Sequence, residues 1–371
     1  MRTVAVILRV PGARVYLDDV TPPGGHSGIM PADGYLPFTV THLPITYLTV
    51  EATGYQPYVV HGLALPPGDI QIRIGVAGDP GRPQDVILPG LIPLIPHLEI
   101  RGHDFVDAAG NRKVFKGTDQ FCAFRRYLDG VDLTPLFQES QELHFDMWRV
   151  FMMGSQAQNN ILELRPSAIG ATYYDHLRPF ADLLNANGIV LLSTVFVDAQ
   201  DVMPVVSDQR DHWGWVADRL RGSATLESGG NEFEKNGFNP GDLSDPGMIW
   251  SRGSGTQDAE PFRPVGSFCE FHPVRHYPTL LLDSVASPVT LFDKGYTQPL
   301  IIDEPTGFGD PSNPFGKLRE TDPRLAYRLA RHYSTECAGA VLHNEYGMRC
   351  LPMSAHMRTI AEAWQRGMLL G

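Results

Sequence analysis

The chain contains 371 residues, which is enough for two domains. Its residues are 43% hydrophobic and 19% charged, the balance of an ordinary globular protein. The formal net charge of -12 argues against a nucleic-acid partner, because proteins that bind nucleic acid present a basic surface. The same charge gives no reason to expect binding to an anionic membrane, whereas a neutral carbohydrate substrate is compatible with it. Composition leaves the oligomeric state open.

The N-terminal segment lacks the pattern of a secretory signal. The apolar run in "MRTVAVILRVPGARVYLDD" is short and is interrupted by Pro11 and Gly12. The sequence contains no run of about 18 apolar residues, so we predict no membrane span. The localisation therefore stays open, and an extracellular or particle-associated protein would need another export route.

Residues 1–80 have the pattern of a small β domain. Runs such as "TVAVILRV", "LPFTVTHL" and "DIQIRIGVA" alternate apolar and polar residues and are separated by glycine and proline turns, which predicts a small antiparallel β-sandwich. The segments "VYLDD", "VEATGYQPYVV" and "LPPGDIQIRI" resemble PEGA-type or carboxypeptidase-regulatory-like sandwich domains. This resemblance implies a spacer, assembly or sugar-binding module without chemistry. Prolines recur in residues 81–96, which predicts a stiff extended linker.

Residues 97–371 alternate strand-length apolar runs with amphipathic segments of helix length. This alternation, its length and the presence of polar residues at many strand ends favour one (β/α)8 TIM barrel over a doubly wound sheet. One of the segments between strands, "LTPLFQESQELHFD", predicts a helix with Thr134 as its N-cap. The eight predicted strands lie in "RKVFKGTDQF", "MWRVFMMG", "IVLLSTVFV", "ATLESGGNE", "GMIWSRG", "SFCEFHPVRHY", "PLIIDEPTG" and "AVLHNEYG".

Two glutamates lie at the C-terminal ends of predicted strands, where TIM barrels carry their catalytic groups. Glu232 follows the fourth strand and Glu304 follows the seventh. These strands lie on roughly opposite sides of an eight-stranded ring, so the two carboxylates can face each other across its mouth. A pair about 5–5.5 Å apart is the geometry of retaining glycoside hydrolysis. We interpret Asp119 and Asp198, at the ends of the first and third strands, as caps or hydrogen-bonded corners.

Five motifs resemble clan A glycoside hydrolases of the cellulase and mannanase type, over residues 98–370. The resemblance implies a retaining hydrolase that cleaves a β-linked polysaccharide or oligosaccharide, with Glu232 as acid/base and Glu304 as nucleophile. It also implies that Asn231 donates to the sugar 2-hydroxyl and that Arg149 and Tyr277 support the nucleophile. The motifs are "HDFVDAAGNRKVFKGTDQF", "WRVFMMG", "GGNEF", "FHPVRHY" and "IIDEPTGFG".

Further residues near strand ends are predicted to bind substrate. Trp250 and Tyr277 are predicted sugar platforms, and the histidines of the sixth-strand motif, His272 and His276, are predicted contacts. The glycines of "GGNEF" are expected to let the backbone approach a ligand. The family's tryptophan on the eighth strand is absent here, so His343 or Tyr346 would replace it.

The sequence predicts no metal and no cofactor. His272 and His276 have the spacing of a helical metal pair, but Pro273 argues against a helix. On a strand, that spacing separates two side chains by about 13 Å. No phosphate loop, dinucleotide-binding glycines or nucleophilic serine motif is present. The cysteines are far apart and form no C-x-x-C pair, which argues against a structural zinc site; they are Cys122, Cys269, Cys337 and Cys350.

Three departures from the family pattern leave alternatives open. Phe233 occupies the position of a proline, a histidine is missing after the third strand, and the eighth-strand tryptophan is absent. Glu234 or Glu345 could therefore take the place of Glu232. In a second hypothesis, the barrel has lost catalysis and serves as a carbohydrate-binding or particle-surface structural protein.

Overall fold

A computed structural model of the chain describes residues 2–8, 13–17, 26–40, 47–51, 58–61, 70–74, 86–88, 98–107, 110–155, 163–255, 266–272, 296–312, 318 and 320–369. The chain divides into two compact units between Pro96 and His97. Within the described ranges, no helix has both the length and the apolar character of a membrane span.

The first unit contains two four-stranded sheets with the strand orders β4-β1-β7-β8 and β3-β2-β5-β6. Inward-facing residues of both sheets, including Val4 and Val15, form one buried apolar cluster, so the predicted sandwich is confirmed. The strands are β1 (Arg2–Leu8), β2 (Arg14–Leu17), β3 (His26–Ile29), β4 (Tyr35–Val40), β5 (Tyr47–Glu51), β6 (Tyr58–His61), β7 (Ile70–Ile74) and β8 (Val86–Leu88).

Two features of this unit differ from the prediction. One sheet is mixed, because β1 pairs in parallel with β7, and β7 pairs in parallel with β8. The strand β8 lies inside the segment 81–96, which we predicted to be a linker. The predicted extended backbone is also the backbone of a strand. Pairing of β8 with Ile72–Ile74 gives its backbone groups hydrogen-bond partners that a linker would lack.

The second unit is built around eight parallel strands in the order β16-β15-β14-β13-β12-β19-β18-β17, and the predicted TIM barrel is confirmed. The first strand pairs with the last, and the backbone N–H groups of Ser267 and Phe268 donate to the Trp250 carbonyl at 2.7 and 3.2 Å, which links β16 to the segment before β17. The barrel strands are β12 (Phe115–Asp119), β13 (Met147–Phe151), β14 (Val190–Phe196), β15 (Thr225–Gly230), β16 (Trp250–Ser251), β17 (Cys269–Phe271), β18 (Leu300–Ile302) and β19 (Gly339–Leu342).

Helices follow most of the strands, and apolar clusters fill the space between them and the barrel wall. The second helix begins at Thr134 itself, so its N-cap is Leu133 and not Thr134 as predicted. The side chain of Asp132 accepts a 2.9 Å hydrogen bond from the Thr134 N–H, which takes over the capping role. The described helices are Ala123–Leu128, Thr134–Glu142, Pro166–Ile169, Ala171–Ala186, Ala199–Val202, Val206–Leu220, Phe233–Asn236, Pro323–Glu336, Glu345–Met348 and Ala355–Leu369.

A small sheet and an apolar floor close the N-terminal end of the barrel. The sheet consists of β9 (Glu99–Arg101), β10 (Asp104–Val106) and β11 (Arg112–Lys113). From β10, the fully buried Phe105 packs against Phe115 and Phe268, with ring centroids 5.5 and 6.0 Å away. This cluster contains no polar side chain, so chemistry can occur only higher in the barrel. Its members are Phe105, Phe115, Met147, Val190, Leu192, Leu226, Phe268, Ile301, Ala338 and Val341.

Candidate active site

Above the apolar floor, each barrel strand or the turn directly after it contributes one inward-facing buried polar residue, and we call these eight residues the polar layer. Side chains alternate in direction along a strand, so the inward-facing residue two positions after a floor residue belongs to the next layer. Arg149 follows Met147 in this way, and Glu270 follows Phe268. Every member is at most 1% exposed; the members are Asp119, Arg149, Thr194, Ser228, Ser251, Glu270, Asp303 and His343.

Arg149 is the central cation of the site. Its guanidinium donates to Glu304 Oε1 at 2.6 Å, to Asn231 Oδ1 at 3.0 Å and to Asp303 Oδ2 at 3.1 Å. Burial lowers the pKa of Arg149, but the nearby carboxylates of Asp303, Glu304 and Asp119 raise it above its ordinary value. Arg149 is therefore charged at every relevant pH, and it favours the ionised form of the carboxylates around it.

Glu232 and Glu304 both lie near one imidazole nitrogen. His272 Nε2 is 3.7 Å from Glu232 Oε1 and 3.6 Å from Glu304 Oε2. These two distances limit the separation of the carboxylate oxygens to at most about 7.3 Å. The range below this limit includes the spacing of about 5–5.5 Å of retaining glycosidases and the shortest spacings of inverting ones. The two side chains are 14% and 4% exposed, so both are shielded from bulk water.

The backbone at Glu232 explains why a phenylalanine follows it. Glu232 is in the left-handed region, with φ 43° and ψ 57°, and it caps the short helix Phe233–Asn236. The Phe233 N–H donates to the Ser254 carbonyl at 3.3 Å. Proline has no N–H and disfavours helical backbone at the preceding residue, so it would be incompatible with this turn. The observed turn therefore disfavours a proline after Glu232.

The glycines before Asn231 have a packing role. A Cβ at Gly230 would lie 2.5 Å from the Phe196 carbonyl and from the Phe238 ring, and a Cβ at Gly229 would lie 2.5 Å from the Arg252 carbonyl. Protein atoms therefore occupy the space that a side chain would need. The expectation that these glycines let the backbone approach a ligand is wrong.

The alternative positions for the first carboxylate lie elsewhere. Glu234 is exposed, whereas Glu232 is largely buried. Glu345 is buried, and its Oε1 accepts a 2.6 Å hydrogen bond from the Leu318 N–H, which indicates a structural role for it. Of the three glutamates that we considered, Glu232 is the one beside His272.

The predicted substrate contacts have different outcomes. Asn231, His272 and His343 lie at the barrel mouth and are at most 5% exposed. Trp250 is not a sugar platform: it is 3% exposed and packs against Trp213 between the barrel wall and a helix. Its neighbour Ile249 faces the barrel interior, so alternation turns Trp250 outward. His276 and Tyr277 lie outside the described residues.

No family model matches the chain, and no curated protein is similar to it. A solved structure of a β-glucanase from Saccharophagus degradans in its native form has 13% sequence identity and a TM-score of 0.53, covering 73% of this chain and 93% of that chain. The same enzyme in complex with cellotetraose has 11% identity and a TM-score of 0.52, covering 72% and 93%. At these identities, the likeness shows a shared barrel fold.

Sequence reasoning missed the groups that surround the two glutamates. Asp303 Oδ2 accepts from Ser254 Oγ at 2.6 Å and from Arg149, while its Oδ1 accepts the Glu304 N–H at 2.8 Å. Glu270 accepts a hydrogen bond from Ser251 Oγ. Burial and the charge of Asp303 together raise the pKa of Glu270 to about 7, although Arg149 and the hydrogen bond from Ser251 lower it. The spacing of apolar and acidic residues was the signal that could have found them: Glu270 and Asp303 each lie two residues after an apolar floor residue, Phe268 and Ile301.

Proposed function

We propose that the barrel is a retaining glycoside hydrolase that cleaves a β-linked polysaccharide or oligosaccharide. The observation that carries this proposal is that Glu232 and Glu304 both lie near His272 Nε2, with their nearest oxygens at most about 7.3 Å apart. Two carboxylates about 5–5.5 Å apart, a spacing within this limit, are the minimal machinery for double displacement. The fold shared with a β-glucanase, whose structure has been solved with cellotetraose, supports a carbohydrate as the substrate.

Glu304 acts as the nucleophile. Its hydrogen bond from Arg149 favours the ionised form, which attacks the anomeric carbon. Glu232 donates its proton to the leaving glycosidic oxygen as the bond to the anomeric carbon breaks, and a covalent glycosyl–enzyme forms. Glu232, now a carboxylate, removes a proton from water. The water oxygen bonds to the anomeric carbon and releases the sugar with Glu304 restored.

Asn231 is oriented to bind the sugar. Its Oδ1 accepts from Arg149 at 3.0 Å, so its amide nitrogen is the group directed to other partners. A donor at this position suits the sugar 2-hydroxyl, whose hydrogen bond strengthens in the transition state. His272 lies near both carboxylates and is the second substrate contact that we propose.

One observation favours the second hypothesis, a carbohydrate-binding barrel without catalysis. Lys235 Nζ donates to Glu232 Oε1 at 3.0 Å, and an ammonium group favours the ionised carboxylate. A general acid must instead be protonated. Lys235 is 53% exposed, however, and surface ion pairs contribute little because solvent screens them.

A glycan screen tests both hypotheses. Reducing ends released from β-glucan, mannan, xylan and carboxymethyl cellulose are measured for wild type, Glu232→Gln and Glu304→Gln. We expect wild type to hydrolyse at least one polymer and both variants to lose at least about 10³-fold of that activity. Glu234→Gln, two residues away and exposed, is the matched control and should retain full activity. Folded variants that remain as active as wild type would refute the proposal, and glycan binding without hydrolysis by wild type would favour the second hypothesis.

A further inference from the structure

His343 follows the last barrel strand and contacts Asp119 at the end of the first. His343 Nδ1 is hydrogen-bonded to Asp119 Oδ2, and both side chains are at most 1% exposed. With Nδ1 held by Asp119, the opposite nitrogen is directed to the barrel mouth. His343 Nε2 lies 3.9 Å from Glu304 Oε2. An imidazole is thus fixed in orientation between a buried carboxylate and the proposed nucleophile.

Asp119 also lies near the other partner of Glu304. Its Oδ1 is 3.9 Å from Arg149 Nη1, and the same guanidinium nitrogen donates to Glu304 Oε1. Arg149 therefore faces one oxygen of Glu304 and His343 faces the other, while Asp119 contacts both. A single carboxylate can in this way orient the two groups that hold the nucleophile.

We propose that Asp119 and His343 form a positioning pair for Glu304, an inference that rests on the proposed hydrolase function. Asp119 accepts the Nδ1 proton of His343 and fixes the orientation of the ring. The Nε2 edge of the ring then faces Glu304 Oε2 and limits the rotation of the nucleophile. His343 then acts through Glu304, in contrast to the sugar platform that the family carries at this strand.

Other charged groups also face the nucleophile and must be held constant in a test. They lie on four different strands or in the turns that follow them, and none of them bonds to His343 Nδ1. The groups are Arg149, Glu232, His272 and Asp303. Burial raises the pKa of Asp119 to about 6, although His343 and Arg149 lower it, so Asp119 is ionised and the pair intact above about pH 6.

Two substitutions separate a positioning role from a purely structural one. An asparagine can place its amide nitrogen near the position of Nδ1 and keep the bond to Asp119, but it is too short to reach Glu304. His343→Asn therefore satisfies the buried carboxylate and removes the contact with the nucleophile. Asp119→Asn keeps an acceptor for Nδ1 and removes the negative charge that holds the ring and faces Arg149.

The experiment measures covalent trapping of Glu304. Wild type and both variants are incubated with 2,4-dinitrophenyl 2-deoxy-2-fluoro-β-cellobioside and the corresponding mannobioside, and labelled Glu304 is quantified by mass spectrometry. The activated leaving group needs no acid, so the labelling rate reports on the nucleophile alone. We expect each variant to label about tenfold more slowly and to have an altered pH–rate profile, because each substitution removes a titratable group near Glu304. His176→Gln, on an outer helix, is the control and should match wild type.

The outcomes distinguish the two proposals. Absence of labelling in wild type counts against the hydrolase function itself, and the positioning role fails with it. Labelling of wild type together with an unchanged rate and pH profile in either folded variant would overturn the positioning role alone. If one variant does not fold, the other still decides, because each removes a different half of the pair.

Discussion

Arg149 on β13 and Glu304 after β18 are joined by a 2.6 Å hydrogen bond across the barrel mouth. Both side chains are almost completely buried, at 0% and 4% exposure. A charge-assisted bond in such a site is strong, and removing one partner of a buried ion pair costs about 3–5 kcal/mol. This bond therefore contributes both to the fold and to the proposed chemistry.

Arg149→Lys tests the need for a forked donor. A lysine keeps the charge, but its single ammonium cannot hold Glu304, Asn231 and Asp303 together in the observed geometry. We expect hydrolysis to fall about 100-fold and the free energy of unfolding in urea to fall by about 2–4 kcal/mol. Arg178→Lys changes an exposed helical pair with Asp182 and should alter stability by less than about 1 kcal/mol. Equal effects in the two variants would contradict this account.

Phe233→Pro tests the turn that carries Glu232. The substitution removes the N–H bond to Ser254 and disfavours the left-handed backbone of Glu232. We expect a loss of about 1–3 kcal/mol in unfolding free energy and at least a tenfold loss of hydrolysis. Phe233→Leu keeps the N–H and should retain most of both. A proline variant with wild-type activity would show that the observed turn is not required.

Glu270→Gln tests the buried acid below the proposed catalytic pair. Burial raises the pKa of Glu270 from 4.5 to about 7, so its contribution to stability is complete below about pH 4.5 and is lost as the pH rises through about 7. The loss amounts to roughly 3 kcal/mol. Glutamine cannot ionise, so the variant should gain stability relative to wild type when urea unfolding is moved from about pH 5 to about pH 8. The exposed Glu362→Gln should show no such gain, and a pH-independent difference for Glu270→Gln would exclude a buried titrating acid.

Phe105→Ala tests the apolar floor. The ring is fully buried against Phe115 and Phe268, and its removal leaves a cavity. We expect a loss of about 3–5 kcal/mol in unfolding free energy, with little change in activity per folded molecule, because the floor lies below the polar layer. Val131→Ala, at a position that is 42% exposed, should change stability by less than about 0.5 kcal/mol. A strong loss of activity in folded Phe105→Ala would show that floor and site are coupled.

Sequence reasoning was successful where a property is local. The eight strand positions follow from runs of strand length between helical segments, and Glu232 and Glu304 were predicted as the catalytic pair because each lies at the end of a predicted strand. The prediction for Trp250 was wrong. Trp250 lies on a strand of only two residues, and the face that its side chain occupies is defined only by pairing with the neighbouring strand. The N-cap of the helix at Thr134 was predicted one residue too late, because the Thr134 N–H is bound by the Asp132 side chain and Thr134 is already the first helical residue.

The amino-acid pattern thus predicted the sequence of alternating strands and helices and the two carboxylates at strand ends. It could do so because the periods of strands and helices are properties of neighbouring residues. The contacts among the functional groups were decided by closure of the barrel. Asp119 and His343 are 224 residues apart, and Arg149 and Asp303 are 154 residues apart. These side chains meet because the first strand pairs with the last and because alternation points one polar residue of each strand into the barrel. No local pattern in the sequence encodes that closure.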